Sequence, residues 1–157
     1  LHSLNSNKLN EYEYFNVNEL DPKFSDIKSN SINSNFSEKN VVVIIMESLS
    51  KEFVGYYNNH NLTPFIDSLI SQSLVFNNTF SNGLRSIEAL PAITASIPTL
   101  SNTPFITSIY AQNDFNSLAS ILSDEGYTTS FFHGGTRGTM GFYGFVKKAG
   151  FENYFGL

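Results

Sequence analysis

The chain has 157 residues, 41% of them hydrophobic, which is enough for one domain with a buried core. A net charge of −5 and the lack of a basic stripe argue against a nucleic-acid partner. Cysteine is absent, which excludes disulfides, thiolate metal sites and a cysteine nucleophile.

Residues 1–38 read as a linker or lead-in rather than a folded unit. Sixteen of the first forty residues are Asn or Ser, with no sustained apolar period. The first strong signal follows. Val41-Val42-Val43-Ile44-Ile45 is a run of β-branched residues, which predicts a strand at 41–46 buried on both faces of a parallel sheet. Glu47 comes directly after it. In open α/β sheets ligands bind beyond the carboxyl ends of the strands, so Glu47 is a candidate metal ligand or acid/base group. The competing reading is a polar residue that simply carries the chain out of the core.

Thr63-Pro64 predicts a helix start, with apolar positions Phe65, Ile66, Leu69, Ile70 and Leu74 at helical spacing. Leu74 to Phe80 is a short strand candidate. Ser86 to Ile97 reads as a helix that Pro91 kinks or starts late. Asn113 or Asp114 is the expected cap of the next helix, which stops at Gly126. Tyr127 to Phe132 is a strand that delivers His133, and Met140 to Ala149 is a helix stopped by Gly150. The alternation predicts α/β layering around a mainly parallel sheet with helices on its faces. No apolar run reaches the eighteen or so residues of a membrane span. The start at Leu1 and the stop at Leu157 suggest a piece of a longer protein.

Ser86 lies in Asn82-Gly83-Leu84-Arg85-Ser86-Ile87-Glu88, a turn opening a helix. Unpaired N–H groups at such a start favour a phosphate or other oxyanion, and Arg85 adds a forked cationic donor. A hydroxyl needs activation to attack, and a divalent metal supplies it. Ser86 is thus a candidate nucleophile and metal ligand. The plainer alternative is that Ser86 is an N-cap with Glu88 in the first turn. Glu47, Ser86 and His133 are expected to meet at one edge of the sheet. The sequence has no GxxxxGK[ST], HExxH or GxSxG pattern, which removes P-loop ATPase, zincin and α/β-hydrolase readings.

Taken in order, Asn40-Val-Val-Val-Ile-Ile-Met-Glu-Ser-Leu-Ser, Leu62-Thr-Pro-Phe-Ile-Asp-Ser-Leu, Leu74-Val-Phe-Asn-Asn-Thr-Phe, Asn116 through Gly134, and Ala149-Gly-Phe-Glu-Asn-Tyr-Phe resemble the lipoteichoic acid synthase family. That family is part of the sulfatase-like branch of the alkaline phosphatase superfamily. The resemblance implies that residues 39–157 are the N-terminal part of an alkaline-phosphatase-like catalytic domain, incomplete in this chain. It implies a transferase that moves a phosphoglycerol-type group from a membrane lipid to an envelope glycan or lipid through a phospho-enzyme. By the same resemblance Glu47 binds a divalent metal and Ser86 falls where the family's nucleophile lies. His133, with Arg85 beside the nucleophile, would contact substrate. Mn²⁺ is the first choice of metal, with Mg²⁺ or Zn²⁺ as alternatives. The remaining metal ligands and several membrane spans would lie outside these residues. The enzyme would then sit at the cell membrane with its catalytic domain on the extracytoplasmic side.

Two departures stand out. The family's Trp and Arg after the Phe-His-Gly motif fall on Met140 and Phe142, which leaves the head group open. Ser86-Ile87-Glu88-Ala89-Leu90 does not match the C/S-x-P-S-R motif of true sulfatases. A hydrolase on the same scaffold, sulfatase-like or a phosphodiesterase, is the second reading. A non-catalytic envelope binding domain is the third.

Overall fold

The computed structural model describes residues 38–157. The expected lead-in at 1–38 lies outside the described residues except for Glu38. Among the described residues the chain divides into two compact units at Met46/Glu47. In the first, residues 38–46 form exposed chain without regular secondary structure.

Here the structure corrects the sequence reading. Residues 41–46 are not a strand. Val42 is 80% exposed and Ile44 78%. A strand buried on both faces needs hydrogen-bonded neighbours along its edges and cover above and below. Among the described residues the two strands pair only with each other. Leu74–Phe80 likewise forms no strand, and Leu74 and Phe80 are exposed.

The second unit, from Glu47 onward, carries five short α-helices: α1 (Gly55–Asn58), α2 (Pro64–Ile70), α3 (Ser86–Ala95), α4 (Leu118–Asp124) and α5 (Phe142–Lys148). It also carries β1 (Ser130–Phe132) and β2 (Asn153–Phe155), which pair in parallel with Ser130 opposite Asn153 and Phe132 opposite Phe155. The order β1–α5–β2 is a crossover unit, the element from which parallel α/β sheets are built.

The two helices that lead into the strands end in the same way. In α4 the N–H of Gly126 donates to Ser123 O (3.0 Å) and that of Tyr127 to Leu122 O (3.0 Å). In α5 Gly150 donates to Lys147 O (3.2 Å) and Phe151 to Val146 O (3.2 Å). Both are Schellman ends, which need a left-handed residue, and Gly126 and Gly150 supply it at φ +84 and +86. Each turn hands the chain straight to a strand.

The start of α4 is not at Asn113 or Asp114. Ser117 is the N-cap. Its Oγ accepts from Ser120 N–H (3.1 Å), Ser120 Oγ accepts from Ser117 N–H (2.9 Å), and the Ser117 hydroxyl donates to Ala149 O. Ser117 is buried and so ties α4 to the end of α5. Ser117→Ala is expected to lower stability by about 1–3 kcal/mol, because a cap is lost and a buried carbonyl is left unpaired. A shift of the urea midpoint without a change of slope would check it; an unchanged midpoint would remove this tie.

The core lies on one side of the strand pair. Phe142, Phe145, Val146 and Ala149 form an apolar stripe along α5 and bury against Leu90 of α3. Phe105, Phe115, Phe131, Phe151 and Tyr154 pack around them. On the opposite face Phe132 and Phe155 stack at 4.7 Å but stay exposed at 72% and 51%.

Candidate active site

Ser86 is the first residue of α3, and its N-cap is Arg85, in extended backbone at φ −130, ψ 153. The N-cap alternative for Ser86 is thereby corrected. A guanidinium has no acceptor and cannot cap. The acceptor comes from Glu88, whose Oε2 receives Leu84 N–H (2.8 Å) and Arg85 N–H (3.2 Å). Its Oε1 receives Arg85 Nε (2.9 Å) and Nη2. Hydrogen bonding from the Arg85 side chain first, and from Leu84 N–H next, holds the Glu88 carboxyl below its ordinary range.

Ser86 is half-buried, and its hydroxyl has no hydrogen-bond partner among the described residues. The N–H groups of Glu88 and Ala89 both donate to Arg85 O, whereas those of Ser86 and Ile87 find no acceptor there. A free hydroxyl beside free N–H groups can receive an oxyanion. Arg85, the residue before Ser86, keeps its remaining N–H donors on an exposed side chain.

His133 leaves the carboxyl end of β1. Its backbone N–H donates to Phe155 O (2.8 Å), and its ring meets Phe142 edge-on at 5.0 Å. Nδ1 is buried without a partner among the described residues. The following turn is stitched to the end of β2: Leu157 N–H donates to Gly135 O (3.1 Å) and Arg137 N–H to Leu157 O (3.2 Å). Phe132, His133, Gly134, Phe155, Gly156 and Leu157 line an open depression at this strand end.

Glu47 lies in a turn with Ser48, whose φ is +58, rather than at a strand exit. Its carboxylate is exposed, with no hydrogen bond or ion pair among the described residues. Arg85 and Ser86 are therefore held together at one helix start. Glu47 and His133 share no polar contact with them or with each other among the described residues. Nor does any group of three His, Asp or Glu side chains converge there. Glu47 and Ser86 are hard oxygen donors, which suits Mn²⁺ or Mg²⁺.

Sequence reasoning missed Glu88 as an organiser of this start. The signal existed, since a Glu three residues after the N-cap is half of a capping box. It was hidden because Ser86, and not Arg85, has the chemistry of a cap.

Residues 39–157 match the sulfatase family profile. The chain is similar to lipoteichoic acid synthase 2 of Bacillus subtilis (strain 168), at 26% identity over 136 residues. The match covers 83% of this chain but 21% of that relative. No solved structure matches significantly. With the profile matched over most of its length, the chain belongs to the sulfatase family, and its α/β architecture is of the alkaline-phosphatase-like kind.

Proposed function

We propose that this chain is part of a metal-dependent transferase that moves a phosphoglycerol-type or related phospho-alcohol group from a membrane lipid to an envelope glycan or lipid. The observation that carries the reading is the uncapped Ser86 hydroxyl, set beside unpaired N–H groups and Arg85 at the start of α3. The similarity to a lipoteichoic acid synthase supports the choice of a lipid-linked phosphodiester over a sulfate ester. In the first step a Ser86 Oγ–P bond forms as the P–O bond to the lipid alcohol breaks. The hydroxyl proton passes to solvent, and the departing alkoxide takes up a proton. In the second step an acceptor hydroxyl attacks the same phosphorus and loses its proton to solvent, the Ser86 Oγ–P bond breaks, and Oγ takes up a proton. His133 and the free donors of Arg85 would orient the phosphate-bearing head group. Glu47 and Ser86 would hold the divalent cation, which lowers the hydroxyl pKa and offsets charge on the phosphate oxygens when bound. On this reading the protein works at the cell membrane, on its extracytoplasmic side. Among the described residues no helix is long and apolar enough to cross a membrane.

The test is to give the full-length protein phosphatidylglycerol labelled in its head group, together with Mn²⁺. Label is expected on the acceptor, with a transient adduct on Ser86 seen by mass spectrometry. Absence of any Ser86 adduct under rapid quench would sink the covalent route. Glu47→Gln is expected to lower turnover at limiting Mn²⁺ by about tenfold to a hundredfold, in the range seen when groups around a metal are removed. Part of that loss should return at excess Mn²⁺. A loss that Mn²⁺ concentration does not change would remove Glu47 from the metal site.

A further inference from the structure

The start of α3 is organised by Glu88 and not by the serine one would expect to cap it. Glu88 is 7% exposed, and its carboxylate accepts from two backbone N–H groups and two guanidinium N–H groups. Gly83 allows the turn to fold onto this side chain, because a Cβ there would lie 2.6 Å from Glu88 Cβ and 3.1 Å from Oε2. The turn has a second tether, since Thr99 N–H donates to Asn82 Oδ1. Residues 82–85 are thus fixed from both sides, and the next hydroxyl in the chain, that of Ser86, is spared the capping role.

We infer that Glu88 is a positioning residue: its carboxylate takes over capping of the helix start and clamps Arg85, so that Ser86 Oγ is held in place and unpaired for attack. The inference rests on the nucleophile reading of Ser86 given above. Glu88 does not need to touch substrate. Both of its oxygens are already committed within the turn. Its loss should therefore act mainly on the rate of attack, since Arg85, released from the clamp, keeps its charge and its donors for the head group.

The experiment uses the full-length protein with Mn²⁺ and bis(p-nitrophenyl) phosphate, each variant assayed well below its own melting temperature. Glu88→Leu removes every acceptor. Its kcat is expected to fall by about a hundredfold with KM within twofold, the size of effect that a small misplacement of a reacting atom produces. Glu88→Gln keeps one oxygen for Leu84 and Arg85 N–H and should recover a large part of that loss, to within about tenfold of wild type. A purely structural role would lower the melting temperatures but leave kcat at wild-type values in both folded variants. That outcome overturns the inference, as does a rise in KM equal to the fall in kcat. Should Glu88→Leu not fold, Glu88→Gln decides alone, with a several-fold drop in kcat at constant KM expected and an unchanged kcat overturning it. Ser86→Ala run beside them separates the two levels. An inactive Ser86→Ala with a fully active Glu88→Leu removes only the role of Glu88, whereas an active Ser86→Ala removes the reading beneath it.

Discussion

Ser86→Ala is expected to abolish head-group transfer in the full-length protein while leaving the fold unchanged. Structurally the substitution costs little. The hydroxyl is not the N-cap of α3 and has no hydrogen-bond partner among the described residues. The loss of a true cap, about 0.5–2 kcal/mol, should therefore not appear, and the melting temperature should stay near wild type. The chemical side is the reverse. Without Oγ the phosphorus has no covalent acceptor at this helix start, and the free N–H groups of Ser86 and Ile87 alone can bind an oxyanion but not attack it. Ser86→Thr keeps a hydroxyl at the same atom and should retain measurable transfer, reduced by the extra methyl group. Loss of labelled head group from the lipid, measured for wild type, Ser86→Ala and Ser86→Thr, separates the cases. Wild-type release by Ser86→Ala would mean that water attacks the phosphodiester directly, which is the hydrolase alternative on the same scaffold.

The helices were legible where local chemistry and tertiary packing agree. Thr63-Pro64 marks the start of α2, and Gly126 and Gly150 mark the ends of α4 and α5, because each satisfies a backbone demand that no distant residue can change. At the start of α4 the two disagree. Asn113 and Asp114 are good caps, but Phe115 sits against Phe105 at 5.5 Å and Phe145 at 5.5 Å, and that packing keeps 113–116 out of the helix. Ser117, with its reciprocal partner Ser120, then takes the cap. The run Val41–Ile45 shows the opposite limit. Its composition speaks strongly for a strand, yet strand formation needs a neighbour, and propensity alone does not supply one. β2 is three residues long, too short for alternation to be seen, and it exists through pairing with β1.

At the candidate site the helix start at Ser86 and the strand exit at His133 were visible in the sequence, since both follow from local pattern. The partners of these residues were not. Arg85 and Glu88 are three residues apart, so their pairing is local, but an arginine in the cap position masks it. Nothing in residue order says that the His133 ring will face Phe142, because that contact depends on how α5 packs beside β1. For Glu47 the expected placement at a strand end came from the 41–46 strand, and it does not hold once that strand is absent.

The largest expected stability effect falls on α5. Phe145 is 6% exposed, stacks on Phe115 at 5.5 Å, meets Phe105 edge-on at 6.3 Å and belongs to the same cluster as Leu90 and Val146. Phe145→Ala removes that ring from the centre of the cluster and is expected to cost about 3–5 kcal/mol. Against a total of about 5–15 kcal/mol for a typical domain, this is enough to unfold a marginal one. Phe132→Ala is the matched control. It deletes the same ring from the exposed side of β1, where only the stack on Phe155 is lost, so its cost should stay near 1 kcal/mol. The measurement is urea unfolding of both variants followed by circular dichroism. The midpoint for Phe145→Ala should fall far below that of Phe132→Ala. Functional consequences should follow the same order, because α5 carries Phe142 against the His133 ring and joins the two strands whose ends frame it. Equal midpoints for the two variants would place the stabilising core elsewhere in the protein and would detach the position of His133 from the packing of α5.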